Sequence, residues 1–176
     1  SFREAIELSY YGASVIHPKT IKPLQNKGIP LYVKSFLDPT ADGTVIQAST
    51  SNDHLVPSFI FKMNQVLFSF TPRDFSFIVE KNLSDIFSRL SKANAKINLM
   101  QNSALNFSIL VDEEKVNIDE ILALFEDSYG VKFNTGLELV TIRHYDQATL
   151  DRVTIDKEII LQQKTRETAR LIVKQL

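Results

Sequence analysis

Cysteine is absent from the 176 residues, which excludes disulfides, thiolate zinc sites and a cysteine nucleophile. Glycine is scarce: five occur, at 12, 28, 43, 130 and 136, and none falls in a GxGxxG or GxxxxGK pattern. This stretch therefore carries no glycine-rich phosphate loop. The three histidines stand at 17, 54 and 144 without HExxH or HxH spacing, so no metal site is expected. No apolar run approaches the ~18 residues of a membrane span. The first residues show no basic region leading into an apolar one, so no signal peptide is expected. An excess of either charge is missing too. Twenty basic against 21 acidic side chains leave a net charge of −1, which argues against a nucleic-acid partner. The expectation is a cytoplasmic globular chain of one domain or two small ones, with no nucleic-acid or membrane partner.

What is present divides near residue 50. The first part holds four of the six prolines, at 18, 23, 30 and 39, and reads as helix, strand and loop punctuated by turns. Ala5, Leu8, Tyr11 and Val15 recur near helical spacing, which predicts a helix over Phe2–Ile16 stopped by Pro18. Ile29–Val33 reads as a short strand, and polar residues 47–58 as a linker. From Asn64 the pattern is regular. Gln65–Phe70 is a strand; Leu83, Ile86, Phe87 and Leu90 mark a one-faced helix with Asn82 at its N-cap. Ile97–Gln101 and Leu105–Val111 are strands joined by a tight turn. Ile118, Ile121, Leu122 and Phe125 mark a second helix, capped by Asn117 and ended by Gly130 in a left-handed conformation. Val131–Phe133 is a strand. The order β-α-β-β-α-β predicts an α+β, ferredoxin-like unit.

A partial copy follows. Leu137–His144 alternates as a strand, and residues 97–111 align without a gap on 159–173, with Ile97/Ile159, Leu99/Leu161, Gln101/Gln163 and Val111/Val173 identical. Residues 146–157 are too short and weakly patterned to predict a helix. A copy without helices leaves one sheet face bare, which predicts a partner chain to cover it.

The acidic pairs Glu113–Glu114, Asp119–Glu120 and Glu126–Asp127 read as solvated charge. Lys19, Lys22, Lys27 and Lys34 form an acid-free basic stretch, suited either to solvent or to nucleotide phosphates. A binding site is better signalled. The first amides of the helix at Leu83 favour an anion such as an amino-acid carboxylate. Asn98, Gln101, Asn102 and Ser103 place neutral polar groups along one strand and its turn, suited to an amino group or a hydroxyl, although Asn102 and Ser103 are also ordinary turn formers.

Residues 7–44 carry a specific signature: Tyr11-Gly12-Ala13, Val15-Ile16-His17-Pro18, Ile29-Pro30, Asp38-Pro39 and Gly43-Thr44. This closely resembles the end of the amino-acid-kinase domain of aspartate kinases, and the βαββαβ unit with its partial repeat is similar to their paired ACT regulatory domains. The resemblance implies a remnant of an α/β amino-acid-kinase domain over 1–50, a linker over 51–62, a first ACT domain over 63–135 and a partial second one over 136–176. The family's phosphate-binding motif and aspartate site would lie before Ser1, so no catalytic residue is assigned and this stretch alone is expected to be inactive. ATP with Mg would serve the full-length enzyme. The resemblance further implies an amino-acid effector, threonine or lysine, contacting Lys81, Asn82, Leu83, Ile97, Asn98, Gln101, Asn102 and Ser103, and a homodimer or higher assembly through the ACT domains. Lys34 and Ser35 would lie nearest the nucleotide. The pattern departs from the family where Lys81 replaces a small residue and where Asn98 and Ala104 replace acids of lysine-sensitive members. An ACT module that only dimerises, with a degenerate pocket, is the alternative.

Overall fold

The computed structural model describes residues 1–14 and 16–176; Val15, one of the positions expected on the first helix, lies outside them. Helix α1 spans Phe2–Tyr11 and ends at Gly12, whose φ of 120° no L side chain readily adopts. It therefore stops well short of the expected Ile16. A helix that the sequence reading missed follows, α2 over Pro18–Lys27. Pro18 starts this helix instead of merely stopping the previous one: proline at the first helical position lacks an N–H that would be unpaired there anyway. His17 is the N-cap, its Nδ1 accepting from the Lys19 amide at 3.1 Å. Strands β1 (Leu31–Val33) and β2 (Thr44–Ile46) pair antiparallel. A Cβ at Gly43 would collide with the Val33 carbonyl, so the pairing requires glycine there. Phe2, Ile21 and Ile46 form the core of this region, with Ala5, Ile6, Leu24 and Val33 packed around them.

The remaining elements are β3 (Ser58–Pro72), α3 (Glu80–Lys92), β4 (Ile97–Asn102), β5 (Phe107–Asp112), α4 (Ile118–Phe125), β6 (Tyr129–Arg143), α5 (Gln147–Val153), β7 (Lys157–Lys164) and β8 (Thr168–Gln175). The strands form one sheet in the order β4-β5-β3-β6-β8-β7. Its first four strands, with α3 and α4, give the expected ferredoxin-like unit. Alternation along β3 and β5 sorts the core onto two faces. Val66, Phe68, Phe70, Phe107, Ile109 and Val111 pack with Ile86 and Leu90 of α3 and Ile121 and Phe125 of α4. Leu67, Leu99, Leu110, Leu137, Leu139 and Ile172 cluster separately.

By its contacts the chain falls into two units, one of residues 1–60, 140–155 and 163–170, the other of 61–139, 156–162 and 171–176. Strand β3 begins at Ser58, inside the stretch expected to be a linker, and β6 runs unbroken through the boundary expected at 135/136. Gly130 lies within β6 and not in a left-handed helix end; the left-handed glycine of that strand is Gly136, at φ 65°. Strand propensity over YGVKF, with Tyr129 buried in the helix-side core, overrides the local glycine signal.

The second copy keeps its first helix, contrary to expectation. Asp146 caps α5 reciprocally: its carboxylate accepts from the Thr149 amide at 2.7 Å, and Thr149 Oγ1 accepts from the Asp146 amide at 2.9 Å. Leu150 and Val153 are buried. The two hairpins also close identically at a spacing of 62 residues. Ser103 N donates to Asn106 O and Thr165 N to Thr168 O, each at 2.8 Å. The Asn106 amide donates to Ser103 Oγ and the Thr168 amide to Thr165 Oγ1, each at 3.1 Å.

Candidate functional site

Helix α3 begins one turn earlier than the sequence suggested, with Val79 as N-cap. Asn82 is the third helical residue, and its Oδ1 accepts from the Val79 amide at 3.2 Å. The first backbone bond of the helix runs from Leu83 N to Val79 O, so the amides of Glu80, Lys81 and Asn82 lack intrahelical acceptors. The Ile78 amide donates to the Ala104 carbonyl at 2.8 Å, tying the loop before α3 to the turn after β4. Beside this junction an open cavity of about 590 Å³ is lined by Arg73, Asp74, Ser76, Lys81, Asn82, Asp85, Asp127 and Tyr129. Arg89 braces its wall, with Nε on Asp85 at 3.0 Å and Nη1 on Asp127 at 2.6 Å. The Arg89 guanidinium holds the Asp127 carboxyl below its ordinary value, and burial pushes the Tyr129 hydroxyl up. The lining thus combines anchored carboxylates with the cationic side chains of Arg73 and Lys81.

The expected effector residues divide into two sets. Lys81 and Asn82 line the cavity, while Leu83 and Ile97 pack against the helix-side core. Asn102 and Ser103 are exposed at the turn that the Ile78 loop touches. Gln101 pairs across from Ser108, two residues from Leu110, which packs in the other core cluster; alternation therefore puts Gln101 on the sheet face away from the helices. Asn98 lies in a polar network that no sequence pattern announced. Its Nδ2 donates to Gln65 Oε1 at 2.8 Å and Asp112 Oδ1 at 2.7 Å, while its Oδ1 accepts from Lys62 Nζ at 2.9 Å. Gln65, only 1% exposed, also donates to Asp112 Oδ1 at 2.9 Å. Burial raises the Asp112 carboxyl, but the bonds from Lys115, Gln65 and Asn98 outweigh it and hold the group well below the carboxylate range.

Lys34 and Ser35 are exposed and bonded locally, Lys34 Nζ at 3.5 Å from Pro39 O and Ser35 Oγ accepting from the Asp38 amide at 3.3 Å. Lys19, Lys22 and Lys27 are exposed as well. Among the described residues, no group of three or more histidine, aspartate or glutamate side chains is placed to hold a metal, and no helix is long and apolar enough to cross a membrane.

Sequence reasoning also missed a buried ion pair. Arg143, 5% exposed, reaches Glu4 Oε1 at 3.0 Å and Oε2 at 2.7 Å and Thr168 Oγ1 at 2.6 Å. Burial raises the Glu4 carboxyl, yet the Arg143 bonds and charge, with His144, leave it below its ordinary value. The one signal was an arginine closing the alternation of LELVTIR, where an inward position is otherwise apolar.

The fold and the loop-to-turn junction define an ACT-type module, repeated in part. No family model matches the chain. By sequence it is similar over 110 residues to the bifunctional aspartokinase/homoserine dehydrogenase of Haemophilus influenzae, at 36% identity, covering 62% of this chain and 13% of that protein. It is 31% identical over 127 residues to the chloroplastic aspartokinase 3 of Arabidopsis thaliana, covering 69% and 22%. The lysine-sensitive aspartokinase 3 of Escherichia coli matches at 30% over 113 residues, covering 64% and 25%. The chain thus spans a quarter or less of the length of these relatives. In structure it resembles the aspartate kinase of Clostridium acetobutylicum, with a TM-score of 0.82 at 18% identity over 98% of this chain and 44% of that one. It also resembles E. coli aspartokinase III in complex with lysine and aspartate in the T-state, with a TM-score of 0.75 at 22% identity, covering 98% and 42%. The chain is a relative of the aspartokinases and matches their C-terminal, regulatory portion.

Proposed function

We propose that this chain is the regulatory region of an aspartate kinase, which transfers the γ-phosphoryl group of ATP to the side-chain carboxylate of L-aspartate, with Mg as the nucleotide's metal, in the cytoplasm. The region binds an end-product amino acid, threonine or lysine, and feedback control follows. The observation that supports this reading most directly is the junction at Ile78 and Ala104. It brings three open helix amides beside a polar turn, and a structural neighbour of the same fold holds lysine. The effector's carboxylate meets the open amides at Lys81 and Asn82, beside Leu83, where the helix start favours negative charge. Ile97, Asn98, Gln101, Asn102 and Ser103 of β4 and its turn supply the remaining contacts.

Strand β4 is a sheet edge, and its candidate contacts lie on both faces. An effector touching both sets is therefore held between two copies of the chain, each supplying one set, and the assembly is a homodimer or larger through this edge. Control is a population shift. The effector favours the subunit arrangement to which it binds more tightly, and the coupling equals that difference in affinity. Calorimetric titration with L-threonine and L-lysine tests the reading: saturable heat from either supports it, and none from both rejects it. The chain alone is expected to show no aspartyl-phosphate formation, because it carries no glycine-rich phosphate loop. Turnover above background in an ATP-coupled assay contradicts this. The second reading, a dimerising module with a degenerate pocket, draws on the full engagement of Asn98 by neighbouring side chains; a dimer without amino-acid binding is its signature.

A further inference from the structure

Of all the aspartates in the sequence, Asp42 alone precedes a glycine. Asp42 and Gly43 lie between β1 and β2, and both are exposed. Among the described residues, Asp42 takes part in no hydrogen bond or ion pair, and the Gly43 amide donates to no acceptor. The comparable positions are each held back. Asp38 precedes a proline, which has no N–H, and its Oδ1 accepts from the Thr40 amide at 3.2 Å and from Thr40 Oγ1 at 2.6 Å. Asp74 Oδ1 accepts from the Ser76 amide at 3.0 Å. Asp127, before a serine, accepts from Arg89 Nη1 at 2.6 Å. Asn102 also precedes a serine, but the Ser103 amide is already committed to Asn106 O at 2.8 Å.

An unengaged carboxyl beside an unengaged amide can react with it. The Gly43 nitrogen attacks Asp42 Cγ and a C–N bond forms. The carboxyl loses its hydroxyl, which leaves as water with the amide proton, and a cyclic imide closes. Water then opens the ring at either carbonyl. Opening at the α-carbonyl breaks its bond to nitrogen, so the main chain now runs through the former side chain and the α-carboxylate is free. The balance needs no oxidant and no cofactor, only water. Glycine permits the attack because no Cβ shields its nitrogen, and a side chain free to rotate reaches the attacking geometry that a bonded one is denied.

We propose that Asp42 is a modification site, where this chain passes spontaneously to an isoaspartyl linkage whose new α-carboxylate is a methyl acceptor for a carboxyl methyltransferase. The site shares no residue with the effector contacts and holds whether or not an amino acid binds there. The test is to age the unmodified chain and Asp42→Glu at neutral pH. Isoaspartate is read by methyl transfer from S-adenosylmethionine with an isoaspartyl methyltransferase and located by peptide mapping. The folded chain should carry isoaspartate at Asp42 at about tenfold the level of any other position. Asp42→Glu, whose longer side chain closes a ring far more slowly, should accept about tenfold less methyl. Ageing in urea should raise isoaspartate at Asn102 by about tenfold and leave Asp42 within about threefold, since unfolding frees the Ser103 amide but not one already free. Equal levels at Asp42 and Asn102 in the folded chain, undiminished methyl acceptance in Asp42→Glu, or no rise at Asn102 on unfolding overturns the proposal.

Discussion

The two loop-to-turn junctions are built on the same hairpin and differ in what surrounds them. In each, a loop amide donates to a turn carbonyl: Ile78 to Ala104 in the first and His144 to Glu167 in the second. At the first, the helix start leaves three amides open beside a cavity containing Lys81 and Arg73. At the second, Asp146 caps the helix and the Tyr145 hydroxyl donates to Thr165 O at 3.0 Å. Lys164 Nζ lies 5.9 Å from the Tyr145 ring centre, and Arg143 joins the turn residue Thr168 to Glu4. One scaffold thus leaves its helix start open in the first copy and saturates it in the second. Local capping chemistry decides between them, because the turns themselves are alike.

The largest effect should come from breaking the second junction. Arg143→Met leaves the Glu4 carboxylate, 12% exposed, without its main partner. It should cost about 3 kcal/mol, the low end for one side of a buried pair, read as a shift in the urea midpoint. A loss under about 0.5 kcal/mol would show that the pair contributes little beyond an exposed contact. Asp112→Ala removes the acceptor shared by Gln65 and Asn98 and should cost about 2 kcal/mol.

Acid should weaken both networks together. Glu4 and Asp112 release their protons more readily in the folded chain than in the unfolded one, where 4.5 and 3.8 are the ordinary values. Their stabilisation is complete above those values and fades as pH falls below them towards the folded ones. Urea midpoints unchanged from pH ~7 down to ~3 would contradict the assignment.

Ser103→Ala and Thr165→Ala should each cost about 1 kcal/mol, since each removes the same turn bond. A threefold inequality between them would break the equivalence of the hairpins. Smallest of all, Lys81→Met should change stability by under about 0.5 kcal/mol while weakening any anion held at the helix start.

The sequence showed the first ferredoxin-like unit plainly, because long apolar alternation and one-faced helices are strong signals there. It was silent where one residue type serves two opposite purposes. Pro18 ends one helix and also begins another. Asn82, placed as a cap, acts from inside the helix by reaching back to Val79. The Asp146–Thr149 pair marked α5, but a helix of seven residues carries too little periodicity to draw attention to its cap. Of the candidate site, the residues around the helix start and turn came together. Asn98 and Gln101 were separated from them because a strand's alternation assigns faces that spacing along the chain does not reveal. Gln65, in the middle of β3, and Asp112 and Arg143, at the ends of β5 and β6, went unread because each is a polar residue in an otherwise apolar strand, where burial depends on neighbours distant in sequence.

Strand β6 closes the first copy with its leading half and opens the second with its trailing half, across 15 uninterrupted residues. For heredity this makes the repeat unlike beads on a string. A further duplication, or the loss of one copy, cannot fall between whole units, because the same strand would be needed twice or left without one of its partners.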